Sequence, residues 1–362
     1  MIPIAKPCVG LRERRAVDRV LKSGGLAQGP EVKAFEEEFS RDLVESLPVV
    51  AVNSGTSGQH LGLLASGIGP GDEVIVPSFT FAATANAVVL TGATPVFCDI
   101  DPETFCLDPS MAKELVTAKT RAIMPVHLFG HPAEMSALVG LANSAGLSIF
   151  EDAAQAHGAE IEGKKVGTFG VFAMFSLYPT KNMTSGEGGM VACVSDEIAR
   201  GVRLLRNQGM EKQYENEVIG YNNRMTDIHA AIGRVQLTRL HAWTEKRRRN
   251  AAFLSSRLQG VEVPIEQFGF KHVYHQYTIR VGDDRDGFAK ALKEEHGVGC
   301  GVYYPIPSHQ LASLKRFAKD RDLPNTELAA GQVLSLPVHP FLSTRELGKI
   351  VRAVNALAKA GG

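Results

Sequence analysis

The chain is 362 residues long, 44% hydrophobic and 22% charged, and its 39 basic side chains equal its 39 acidic ones. No excess positive charge argues for nucleic acid or an anionic membrane surface as partner, and the length suits one large domain with a smaller companion. Five scattered cysteines (Cys8, Cys98, Cys106, Cys193, Cys300), without CxxC spacing, disfavour a disulfide framework or a zinc site. The first residues, MIPIAKP, show no signal peptide, and no apolar run reaches the roughly 20 residues that span a bilayer. The expectation is a cytoplasmic protein without a bound metal.

From residue 49 to residue 194, short β-rich runs alternate with longer amphipathic ones. Strands are predicted over VVAVNS (49–54), DEVIVP (72–77), TPVFCDI (94–100), TRAIMPVH (120–127), LSIFED (147–152), VFAMF (171–175) and GGMVACV (188–194). Helices are predicted over 57–67, 79–91, 109–118 and 132–145. Nearly continuous apolar strands separated by helices imply an α/β fold, with a mostly parallel central sheet covered by helices on both faces. Beyond Gly201 the pattern changes. Residues 225–258 read as one long helix, and its basic run Lys246–Arg249 reads as a solvated face. A C-terminal α+β portion follows and ends in a helix over 344–358. The expected division is a large domain over 1–240 and a smaller one over 241–362, with the N-terminal residues packing on the latter.

In such a sheet ligands gather at the carboxyl ends of the strands, and four polar stretches fall there. NSGTSGQHL (53–61) is a hydroxyl-rich turn opening a helix, suited to a phosphate through its N–H groups and dipole, or simply a helix cap. It is not GxGxxG, so a nicotinamide site loses its main support. PSFTFAATAN (77–86) offers Phe81 either as core or as a flat surface for a ring. IFEDAAQAHG (149–158) places Asp152 just after a strand, where a buried carboxylate needs a cationic partner such as a protonated pyridine nitrogen. SLYPTKNMTSGEGG (176–189) carries Lys181, and an enclosed lysine can lose its proton and add to an aldehyde. Phosphate turn, ring surface, carboxylate and amine in this order point to pyridoxal 5′-phosphate.

These stretches, together with GYNNRMTDIHAAIGRVQL (220–237), resemble the DegT/DnrJ/EryC1/StrS aminotransferases, which modify sugars on the fold type I (aspartate-aminotransferase) architecture. The likeness runs in family order over nearly the whole chain. It implies Lys181 as Schiff-base lysine and proton carrier, Asp152 at the pyridine nitrogen, Gln155 on the ring's hydroxyl side and Phe81 stacked on the ring. Gly55, Thr56, Ser57 and Ser176 would hold the phosphate. Asn222 would complete that cradle in the neighbouring subunit of a homodimer, with Arg224 fixing its loop on the substrate side. His309, in YYPIPSHQ, becomes a candidate contact for a sugar nucleotide. The implied reaction is ping-pong: nitrogen passes from L-glutamate or glutamine to the cofactor, leaving pyridoxamine phosphate and 2-oxoglutarate or its analogue. It then passes to a nucleotide-linked keto-deoxysugar.

Relatives that remove a sugar hydroxyl carry histidine in place of the lysine, and some bind an iron–sulfur cluster. TKN keeps Lys181, and no cysteine cluster is present. A cyclitol or aminobenzoate-type aminotransferase shares the cofactor motifs, and a non-catalytic regulator would keep the phosphate turn while losing the lysine or the carboxylate. His127 and His131 lack a third metal ligand, and His157 stands for core packing or a place near the cofactor.

Overall fold

The computed structural model describes residues 1–318 and 321–360. Helices α1 (Leu11–Ser23) and α2 (Pro30–Leu43) come first. The alternation then runs β1 (Val49–Val52), α3 (Gly55–Ala65), β2 (Glu73–Pro77), α4 (Ala83–Leu90), β3 (Thr94–Cys98), α5 (Pro109–Glu114), β4 (Thr120–Ile123), α6 (Met135–Ala145) and β5 (Ser148–Asp152). A short hairpin, β6 (Glu160–Ile161) and β7 (Lys164–Lys165), precedes β8 (Phe172–Ser176), β9 (Gly189–Cys193) and α7 (Asp196–Arg206). The long helix α8 (Asp227–Ser255) leads to β10 (Phe270–Lys271), β11 (Tyr277–Arg280), α9 (Arg285–Glu294), α10 (Pro324–Gln332), β12 (Val333–Leu336) and α11 (Thr344–Ala360).

Seven strands form the central sheet in the order β1-β9-β8-β5-β4-β2-β3. Strands β2, β3, β4, β5 and β8 pair in parallel, whereas β9 runs against both its neighbours, β1 and β8. The carboxyl ends of β1, β2, β4, β5 and β8 therefore open on one edge, joined there by the start of β9.

Alternation along each strand feeds two cores. Val49 and Ala51 pack with Phe35 and Phe39 of α2 and Leu240 of α8, while Val50 and Val52 pack with Leu61 of α3, Val88 of α4 and Val202 of α7. Each such side chain contributes on the order of 1.5–3 kcal/mol on burial, so packing rather than helix propensity fixes these elements. Two helices sit so close that only glycine fits. A Cβ on Gly62 would lie 2.7 Å from the Phe172 ring, and one on Gly233 would lie 2.5 Å from the Phe35 ring.

A further core joins Ile2, Leu254, Tyr277, Ile279, Leu336 and Ile350 around the antiparallel pair β11–β12. Ile2 bridges to Val298, whereas α1 lies along α8. Helix α8 is 29 residues long and continuous through position 240, so the division expected after that residue falls inside it. Its Arg247, read from the sequence as solvated, is 7% exposed. Among the described residues no helix is long and apolar enough to cross a membrane.

Candidate active site

At the carboxyl edge of the sheet lies a cavity of about 570 Å³. Each strand that ends there delivers a side chain. After β1 come Ser54 and the start of α3 with Gly55 and Thr56; after β2 come Phe81 and, on α4, Thr84; β5 and β8 end in Asp152 and Ser176; and Lys181 follows on its loop. Ser54 is the N-cap of α3, its Oγ accepting the Ser57 N–H at 3.1 Å. Gly55 and Thr56, the first residues of that helix, line the cavity, and a helix N-terminus there favours an anion. Ser57 itself does not line the cavity; its Oγ stands 2.9 Å from Ser54 Oγ.

Asp152 is 4% exposed and accepts hydrogen bonds from Gln59 Nε2 at 2.5 Å, Thr84 Oγ1 at 2.8 Å and the Ala154 N–H at 3.1 Å. All three donors are neutral, and no cation of the described chain comes within ion-pair distance. Burial pushes its carboxyl above the usual range, against the pull of those donors and of Lys181 nearby. The amine of Lys181 has no hydrogen-bond partner among the described residues. Burial pushes it down to about 8, the charge of Asp152 opposing, so about a tenth of the amine is neutral at pH 7 and about half at pH 8.

Gln155 is held at both ends: its Oε1 accepts the Phe129 N–H at 2.7 Å and its Nε2 donates to Tyr304 Oη at 3.0 Å. Phe81 is 60% exposed and faces Tyr304 across 6.1 Å between ring centroids. The two rings are tilted by 38° rather than stacked, so among the described residues no ring lies flat on Phe81.

Other expected residues lie elsewhere. Asn222 is exposed and bridges to Asn207, whose Oδ1 accepts Arg224 Nη1 at 2.7 Å; neither Asn222 nor Arg224 lines this cavity. His309, expected at a sugar nucleotide, is buried, with Nδ1 2.6 Å from Ser78 Oγ and Nε2 3.2 Å from Glu327 Oε1. Its segment reaches the cavity through Tyr303 and Tyr304 instead. His157 packs edge-on to Phe39 and tilted against Phe175. Sequence reasoning missed Gln59 and Thr84, whose bonds to Asp152 span 93 and 68 residues; His275 and Gln276 line the wall from the C-terminal portion.

The solved structure of NtdA from Bacillus subtilis with bound PMP superposes with a TM-score of 0.90 at 31% identity, covering 97% of this chain and 83% of that one. A dTDP-3-amino-3,4,6-trideoxy-alpha-D-glucose transaminase of Streptomyces venezuelae is 41% identical over 349 residues, 95% of this chain and 91% of its own. A pleiotropic regulatory protein of Geobacillus stearothermophilus is also 41% identical, over 94% of this chain and 92% of its own. Residues 7–355 match the family model itself. These matches extend over almost the full length: this chain belongs to the DegT/DnrJ/EryC1/StrS aminotransferase family.

Proposed function

We propose that this aminotransferase moves an amino group from L-glutamate or glutamine to a keto-deoxysugar carried on a nucleoside diphosphate, in two half-reactions at one site. The observation that carries the reading is the pair Lys181 and Asp152 on the wall of a single cavity. Pyridoxal 5′-phosphate fits the residues present: Asp152 is a buried acid with only neutral donors, Phe81 a bare ring, and the start of α3 an anion site. When bound, it supplies an aldehyde that captures the amine and a ring that draws electrons from the adjacent carbon.

The chain's own residues do the rest. Ser54, Gly55, Thr56 and Ser176 hold the phosphate, Phe81 covers one ring face, and Gln155 orients the ring hydroxyl. Asp152, ionised once a cation sits against it, keeps the ring nitrogen protonated. Lys181 Nζ takes the proton from the donor's α-carbon and returns it to the cofactor carbon bonded to the transferred nitrogen. The desolvation that lowers its pKa makes it a competent base near pH 8. Asn222 and Arg224, off the cavity of their own chain, serve the site of a second copy, a homodimer further supported by Tyr214 and Ile219, 85% and 92% exposed on the adjoining loop. Five free cysteines support a reducing, cytoplasmic setting.

The test is a panel of keto-sugar nucleotides (thymidine, uridine and guanosine diphosphate forms) with L-glutamate as donor, scored by mass for gained nitrogen. At least one should be aminated, and Lys181→Ala should abolish turnover. A colourless protein that ignores added cofactor would favour the regulatory reading instead.

A further inference from the structure

Between β10 and β11 the chain runs irregularly from His272 to Gln276, yet its carbonyls are taken one after another by side chains. Arg248 Nη1 donates to His272 O at 2.8 Å, Asn182 Nδ2 to Val273 O at 3.1 Å, and Arg247 Nη1 to Tyr274 O at 3.2 Å and His275 O at 3.5 Å. The N–H groups of Val273 and Gln276 close onto Gly130 O and Phe129 O at 3.0 and 3.1 Å. Arg247 is buried and has no carboxylate partner among the described residues. A lone buried guanidinium is costly, and here its hydrogen bonds go to this segment. Asn182 follows Lys181 directly, so the segment is tied to the loop that carries the amine.

The segment presents His275 and Gln276 to the cavity; His275 Nδ1 lies 3.4 Å from Asn182 Oδ1, and Gln276 is the one whose side chain is left without such a contact. The residue is 9% exposed and lines the cavity, and its side-chain amide has no hydrogen-bond partner among the described residues. A preorganised amide with unused donors and acceptor beside a reactive amine is a recognition group. The remaining charges on the cavity wall explain its purpose. They are Lys181, Asp152 and Glu187, with no arginine among the described residues.

An amino acid donor brings a carboxylate next to its reacting carbon, whereas a keto-sugar brings a hydroxyl-bearing carbon there. A fixed cation would suit the first and stand unpaired against the second. A neutral amide serves both, giving N–H to a carboxylate and either N–H or C=O to a hydroxyl.

We infer that Gln276 is the specificity-determining residue for the substituent beside the reacting carbon, receiving the donor's α-carboxylate in one half-reaction and a sugar hydroxyl in the other. This rests on the two-substrate reading given above.

Gln276→Glu and Gln276→Leu keep the size of the side chain, and both are examined as cofactor-loaded enzyme. The dissociation constant for L-glutamate, read from the bleaching of the cofactor's visible band in single turnovers, should rise about tenfold in Gln276→Leu and about 100-fold in Gln276→Glu. The maximal rate should stay within about threefold, and the starting band should be intact. With 4-aminobutyrate, which lacks the α-carboxylate, the same substitutions should change the constant less than about threefold. For the keto-sugar nucleotide best used in the panel, Gln276→Leu should weaken binding more than Gln276→Glu, which still accepts from a hydroxyl. Unchanged glutamate constants in both variants, or equal losses for 4-aminobutyrate, would overturn the inference alone. Arg224→Ala raising the glutamate constant while both Gln276 variants leave it alone would reassign the role to Arg224. A wild-type band blind to L-glutamate would instead overturn the donor reading, and the inference with it.

Discussion

Lys181→Met removes the cavity's amine while keeping most of its volume, and the cofactor-free protein should report the loss as an altered pH dependence of folding. In the folded chain the amine titrates near 8, against an ordinary value of 10.5 in the unfolded chain. Between these values the unfolded state binds more protons, so wild-type stability rises with pH across this window and is flat below it. The full gain is 10.5 − 8 = 2.5 pH units at about 1.36 kcal/mol each, or about 3.4 kcal/mol, of which about 2.5 kcal/mol accrues between pH 7 and 10. Solvent reaching the half-buried amine through the cavity trims this toward about 2 kcal/mol. Lys181→Met lacks the term. Urea denaturation of both proteins at pH 7, 8.5 and 10, at one protein concentration, gives the difference directly. Repeating the pair in an Asp152→Asn background removes the opposing carboxylate. A wild-type minus variant difference that moves by less than about 0.5 kcal/mol between pH 7 and 10 would refute the claim that burial depresses this lysine.

Two further outcomes concern packing and assembly. Gly233→Ala puts a methyl 2.5 Å from the Phe35 ring between α2 and α8, and should cost about 1–3 kcal/mol in urea denaturation; unaltered stability would show that the contact is slack. Lys181→Ala and Asn222→Ala, each deficient alone, should recover up to about a quarter of wild-type activity when their subunits are mixed, because one site in each mixed dimer is then complete. Mixtures that stay as inactive as their components would place Asn222 outside the neighbour's site.

The sheet was legible because its strands are apolar on both faces: all seven runs read from the sequence correspond to observed strands, with ends shifted by up to four residues. Helices α1 and α2 escape a strand-led reading, although Val32, Phe35, Phe39 and Leu43 carry the three-to-four-residue spacing of a buried helix face. Asp152 and Lys181 could be located because each closes or follows a strand that ends at the cavity. Their neighbours could not, since no local pattern foretells that Gln59 on α3 and Thr84 on α4 converge on one carboxylate. In YYPIPSHQ the eye goes to the titratable His309, yet the fold spends that ring on Ser78 and Glu327 and turns the tyrosines toward the cavity. Arg247 shows the same limit: inside a run of basic residues, only tertiary contacts reveal the one turned inward to hold Tyr274 O.

Helix α8 also bears on how relatives of this chain can be recombined. Its first turns share a core with α2 and the sheet, and its last turns, at Ala251 and Leu254, share one with β11 and α11. A chimaera joined after residue 240 would mate two half-helices whose flanking cores evolved apart. Grafting a new C-terminal portion to change substrate preference is better spliced beyond Ser255, in the turn around Gly260, with the whole rod inherited from one parent.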